Sequence, residues 1–159
     1  MKVVAAKLKA GDLFFVPLED GTFGLGLFHK YSPKALNSCI CSFYGNNFST
    51  REEIELIEFN DLRMISLVFV TKDLLQKKVW GRVRNIEDSL SRFDLPDIPY
   101  ENAGSYKGAK VYGSGIIREF LNAYFGILPW NMMHDPTYFD KLLITNIKRP
   151  KNLIFQKVD

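Results

Sequence analysis

The sequence predicts an α+β fold, a curved, mainly antiparallel sheet of five or six strands with two helices of the C-terminal half packed on it. Three observations lead there. Short apolar runs with period-two alternation, broken by Gly, Asn and Asp turns, occupy the stretch from Asp12 to Val70. A stripe of apolar residues at helical spacing appears after Ser114. The composition is that of one globular domain with an aromatic core: 159 residues, 47% hydrophobic and 25% charged, with 13 Phe, 7 Tyr and 2 Trp. No linker or repeat divides residues 1–159, so a single domain is expected.

Asp12 to Leu18 reads as a strand and Thr22 to Tyr31 as its hairpin partner, with Glu19, Asp20 and Gly21 supplying the positive φ of a tight turn. In the second strand Phe23, Leu25 and Leu27 alternate with Gly24, Gly26 and Phe28, so one face carries bulk and the other admits close packing. Ser38 to Tyr44 alternates again, with Cys39, Cys41 and Phe43 opposite Ile40, Ser42 and Tyr44. Thr50 and Glu53 match a capping box, although Ile54, Leu56 and Phe59 also fit a strand, and both readings stay open. Met64 to Val70 is β-branched and apolar enough for a buried strand; Thr71 is read as the cap of a short turn through Leu75, and Val79 and Trp80 re-enter the core. Residues 85–115, with two prolines and no sustained period, read as a long loop. Ile116, Ile117, Phe120, Leu121, Tyr124 and Phe125 define a helix that Gly126 caps in the left-handed conformation. Asp135 and Pro136 are read as the start of a shorter helix over 136–143, burying Tyr138, Phe139, Leu142 and Leu143, and Leu153 to Val158 as a last strand.

Catalytic candidates are few. Cys39 and Cys41 are the nucleophiles to consider and His29 and His134 the bases, but nothing in the sequence brings them together, and thiols alternating within an apolar strand behave as small buried hydrophobes. Asp135 beside His134 is accounted for as a helix cap. The spacing lacks paired Cys knuckles, so no metal or other cofactor is expected. Gly21, Gly24 and Gly26 lie in a hairpin with no helix following, which excludes a phosphate loop. The absence of a leader, of a membrane-length apolar run and of a disulfide pattern leads us to expect a cytoplasmic protein.

Two charge patterns stand out against a net charge of only +3. Strand alternation would place Lys78, Trp80, Arg82 and Arg84 on one face, where an aromatic platform among cations suits single-stranded RNA; the small net charge argues against it. Acidic residues cluster twice, as Glu52, Glu53, Glu55, Glu58 and Asp61, and as Glu87, Asp88, Asp94, Asp97 and Glu101. Either group would suit a basic partner.

The segment Gly11-Asp12-Leu13-Phe14-Phe15-Val16-Pro17-Leu18-Glu19-Asp20-Gly21-Thr22-Phe23-Gly24-Leu25-Gly26 resembles the opening hairpin of the immunity protein 26 family of bacterial polymorphic toxin and contact-dependent growth inhibition systems. The resemblance rests on Gly11, Asp12, Pro17, Leu18, Asp20, Gly21 and Gly26, with Trp80-Gly81 resembling a later Trp-Gly element, and extends over about half of the chain. It implies a non-enzymatic protein that binds the toxic C-terminal domain of a secreted effector and blocks it by stoichiometric complex formation. Basic nucleases held by acidic immunity proteins are common among such pairs, and here only the local acidic clusters supply that complementarity. The rival readings from the residues are a small-barrel RNA-binding protein using the Trp80 face, and a thiol hydrolase using Cys39 or Cys41 with His29 or His134.

Overall fold

The structure is a computed structural model that describes residues 8–87 and 93–157. Its centre is a six-stranded sheet of order β5-β1-β2-β3-β4-β6. The strands are β1 (Asp12–Pro17), β2 (Phe23–Ser32), β3 (Ser38–Tyr44), β4 (Met64–Val70), β5 (Gly81–Asn85) and β6 (Val111–Tyr112). Every pairing is antiparallel except the short parallel one between β4 and β6. The helices are α1 (Arg51–Leu56), α2 (Asp73–Gln76), α3 (Ile98–Ala103) and α4 (Ser114–Tyr124), with 3₁₀ turns at Phe59–Asp61 and Tyr138–Leu142. The molecule is an α+β domain, as expected, and among the described residues no helix is long and apolar enough to cross a membrane.

Period-two alternation turns each strand into a two-sided wall, and both sides are covered. Phe14, Phe28, Cys39, Cys41 and Phe43 face α4 and the second 3₁₀ turn, packing with Phe120, Leu121, Trp130, Phe139 and Leu142. On the other side Leu13, Phe15, Leu25, Leu27 and Tyr44 receive Ile54 of α1. Further along that side, Ile40 and Phe69 meet Tyr100 of α3 and Tyr106. Gly26 shows why small residues alternate with large ones in β2. A Cβ there would fall on the Phe14 ring and within 3.0 Å of Phe43, so the aromatic wall closes only over a bare backbone.

The β1–β2 turn closes at Gly21 (φ +84), whose N–H donates to the Leu18 carbonyl. Helix α4 ends as its sequence dictates: Gly126 (φ +76) donates to the Ala123 carbonyl and Ile127 to that of Asn122, a Schellman closure. Two side chains pin α4 to the first hairpin. Arg118 Nε donates to the Pro17 carbonyl at 2.8 Å, and Asn122 Oδ1 accepts the Glu19 N–H at 2.9 Å.

Elsewhere tertiary contacts override local signals. The ambiguous segment after Thr50 is helical. Thr71 does not cap α2; the residue before that helix is Lys72, while Thr71 Oγ1 donates to Asp73 and accepts the Ser114 N–H, joining α2 to α4. The expected loop of residues 85–115 contains the end of β5, α3 and the edge strand β6, because Tyr100 and Tyr106 bring it back onto Phe69. The expected helix over 136–143 is a 3₁₀ turn, with Asp135 accepting from Thr137 N–H ahead of it. The expected last strand is reduced to one bridge between Pro129 and Ile154, with Ile154 and Phe155 exposed; its end at Val158 lies outside the described residues.

Candidate functional site

Residues 50–62 build the most distinctive surface, an acidic ridge. Thr50 Oγ1 accepts the Glu53 N–H at 3.3 Å, and Glu53 Oε2 in return accepts the Ser49 N–H at 3.0 Å, so a reciprocal cap starts α1. Ile54 anchors it in the core. A helical residue two positions from an anchor points away from it, and Leu56 accordingly stands 80% exposed. Glu52 and Glu55 of the same helix and Glu58 and Asp61 just after it are exposed, and among the described residues none of their carboxylates has an ion-pair partner. The nearby cations engage other groups, although Arg51 and Arg63 are themselves exposed. Arg51 lies over the Phe15 ring at 4.2 Å, Arg63 donates to the Gly45 carbonyl at 2.9 Å, and Arg84 donates to that of Ile57.

The second acidic group does not form one unpaired surface. Asp97 is buried and bound to Lys30 Nζ at 2.7 Å, a structural ion pair between α3 and β2 rather than a partner contact. Glu101 accepts the Tyr106 hydroxyl at 2.6 Å. That bond pushes the Tyr106 pKa up to about 12. Glu87 and Asp94 are exposed, and Asp88 lies outside the described residues.

The cationic face expected around Trp80 is not formed. Trp80 is 2% exposed and stacks on Phe14, with ring centroids 5.5 Å apart and planes 7° from parallel. Lys78 precedes the strand in a left-handed conformation (φ +60). Within β5 the register slips, pairing Leu13 with Arg84 and Phe14 with Arg82, so Val83 is an extra residue and the alternation breaks. Arg82 goes to buried Asp12 at 2.9 Å, and Arg84 to the Ile57 carbonyl beside α1. Buried in this way, Trp80 is not a surface platform for a base.

The remaining motif residues build the fold. Gly11 (φ +91) would place a Cβ on the backbone of Glu87, Asp12 takes Lys9 N–H, Asn85 and Arg82, and Asp20 accepts both donors of Thr22. Burial acts to raise the Asp12 pKa, but those bonds outweigh it and hold the carboxyl below its ordinary value. Pro17 closes the β1 ladder opposite Phe23, Leu18 is core, and a Cβ on Gly81 would fall on the Phe15 ring.

The thiols and imidazoles do not meet. Cys39 and Cys41 are buried 3.7 Å apart with both sulfurs free, and burial pushes the Cys41 pKa well up, further from thiolate. His29 lies on the other side of the sheet, where its Nε2 meets Ser42 Oγ at 2.9 Å and Ser42 Oγ meets Tyr44 Oη at 2.9 Å. His134 is exposed, and Asp135 is taken by Thr137 and Lys141. Among the described residues no cluster of His, Cys, Asp or Glu is suited to a metal ion. Sequence reasoning found the ridge carboxylates but missed Leu56, whose exposure follows from its two-residue offset once Ile54 is known to be the anchor.

Searches against family models, curated proteins and solved structures found no match for this chain.

Proposed function

We propose that this protein is an immunity protein: a cytoplasmic, non-enzymatic inhibitor that neutralises the toxic C-terminal domain of a secreted bacterial effector by stoichiometric binding. The observation that carries the reading is the run of exposed Glu52, Glu55, Glu58 and Asp61, without ion-pair partners among the described residues and with exposed Leu56 among them in sequence. Carboxylates without internal partners lose nothing inside the fold when a partner's Lys and Arg engage them, and an exposed apolar side chain on the same helix supplies a contact to desolvate in a complex. The net charge of +3 makes this local negative surface the place where a basic toxin, such as a nuclease, is complementary.

The test begins by reading the gene immediately upstream for a large secreted protein and co-expressing its C-terminal domain with this chain, scoring survival and co-purification. Rescue with an equimolar complex is expected. The triple variant Glu52→Lys, Glu55→Lys, Glu58→Lys should slow association and weaken rescue, because exposed interface charges act mainly on the rate of encounter. Toxicity unrelieved by folded protein, with no complex, overturns the proposal.

A further inference from the structure

Residues 120–134 contain no Asp, Glu, Lys or Arg, and residues 142–157 contain Lys148, Arg149, Lys151 and Lys157 but no carboxylate. The fold lays the two segments side by side. A Cβ on Gly126 would lie 2.8 Å from the Asn152 carbonyl oxygen, and the Ile154 carbonyl accepts the Trp130 N–H at 2.8 Å. Asn131 then exchanges bonds with Gln156, its Nδ2 donating to the Gln156 carbonyl at 3.0 Å and its Oδ1 accepting the Gln156 N–H at 2.8 Å. This pinned, extended chain holds Ile154 at 46% and Phe155 at 53% exposure. Beside it Phe125, Ile127, Leu128 and Pro129 are only half-buried.

The cations come to the same surface. The chain turns at Lys151 and Asn152 and brings the Arg149 guanidinium back to 5.8 Å from the Phe155 ring centroid, while the same guanidinium holds Asp140 through two hydrogen bonds. Lys148, Lys151 and Lys157 are exposed and have no ion-pair partner among the described residues. Apolar side chains already held in place gain by burial at little cost in ordering, and lysines with no carboxylate beside them gain from an anionic surface. A bilayer containing anionic lipid offers both at once. Single-stranded nucleic acid matches the cations but not the apolar set, because of these apolar side chains only Phe125 and Phe155 carry an aromatic ring on which a base could stack.

We propose that this surface docks the protein peripherally on an anionic membrane, with Ile154 and Phe155 entering the headgroup boundary and Lys148, Lys151 and Lys157 facing lipid phosphates. The inference is independent of the toxin-binding reading: Phe125, Ile127 and Leu153 pack on the α4 side of the sheet, whereas Ile54 anchors α1 on the other. Flotation of the full chain with vesicles of phosphatidylcholine alone, and of phosphatidylcholine with phosphatidylglycerol, tests it. Binding is expected to the anionic vesicles only, falling as salt is raised. The triple variant Lys148→Gln, Lys151→Gln, Lys157→Gln should weaken it on the order of a hundredfold, and Ile154→Ser with Phe155→Ser roughly ten- to a hundredfold. The lysine variant removes no internal contact, so its melting point should match that of the original chain. No binding to anionic vesicles, equal binding to both kinds, or a folded lysine variant that binds as well as the original would overturn the proposal. So would a single-stranded oligonucleotide, or a second copy of the chain, that binds through these residues in place of the vesicles.

Discussion

His29 packs edge-on against Phe93, with ring centroids 4.7 Å apart, and spends its Nε2 on Ser42. Burial disfavours the imidazolium and lowers its pKa from 6.5 to about 4. The folded state therefore binds the proton less readily than the unfolded chain. This contribution to stability is fully present above about pH 6.5 and is lost as the pH falls from there to about 4, a total of about 3 kcal/mol. Asp12 acts in a separate window, since its lowered pKa places its loss below the ordinary carboxylate value of 3.8. Urea unfolding between pH 7 and pH 4 should show the loss in the original chain, and His29→Gln, whose side-chain amide offers both a donor and an acceptor toward Ser42 but does not titrate, should flatten it. An unchanged slope in that variant would show that another group is responsible.

At the scale of the element, α1 is the most dependent on its ends. Six residues are too few for a helix to persist on propensity, so it stands on the Thr50 cap and the Ile54 anchor. Removing the hydroxyl in Thr50→Ala should cost about 1 kcal/mol in urea unfolding and increase amide exchange in α1 before the sheet is affected. Equal exchange in helix and sheet would mean that α1 opens only with the whole domain. The capping box was legible in the sequence; the choice of helix over strand was not, because Ile54, Leu56 and Phe59 satisfy either period until the β1–β2 wall offers Ile54 its socket. The β5 stripe failed for a related reason. One extra residue at Val83 turns Arg84 away from Arg82, and a bulge of this kind is set by the partner strand.

Across the whole molecule, the cover on both sides of the sheet binds distant segments into one core. Phe120 of α4 meets Trp130 and Phe139, with ring centroids 5.8 Å and 5.9 Å apart, while the same cluster reaches Phe14 of β1. Phe120→Ala should cost about 3–5 kcal/mol, a large share of the roughly 5–15 kcal/mol that holds such a domain. Calorimetry should show one transition at a much lower temperature. A small shift, or the loss of the C-terminal segment in a separate transition, would show that α4 and residues 130–142 are not part of the cooperative core.

The amino-acid pattern alone determined the α+β class, the first four strands, the α4 helix with its glycine closure, and the burial of Cys39 and Cys41, because period and turn chemistry are local properties read over a few residues. Only the tertiary structure decided which carboxylates remain unpaired, that Asp97 is an internal ion pair, and that Trp80 is buried against Phe14. Those properties depend on which distant residue arrives opposite, and charge, aromaticity and even strand alternation look the same in sequence whether the opposite side is solvent or core.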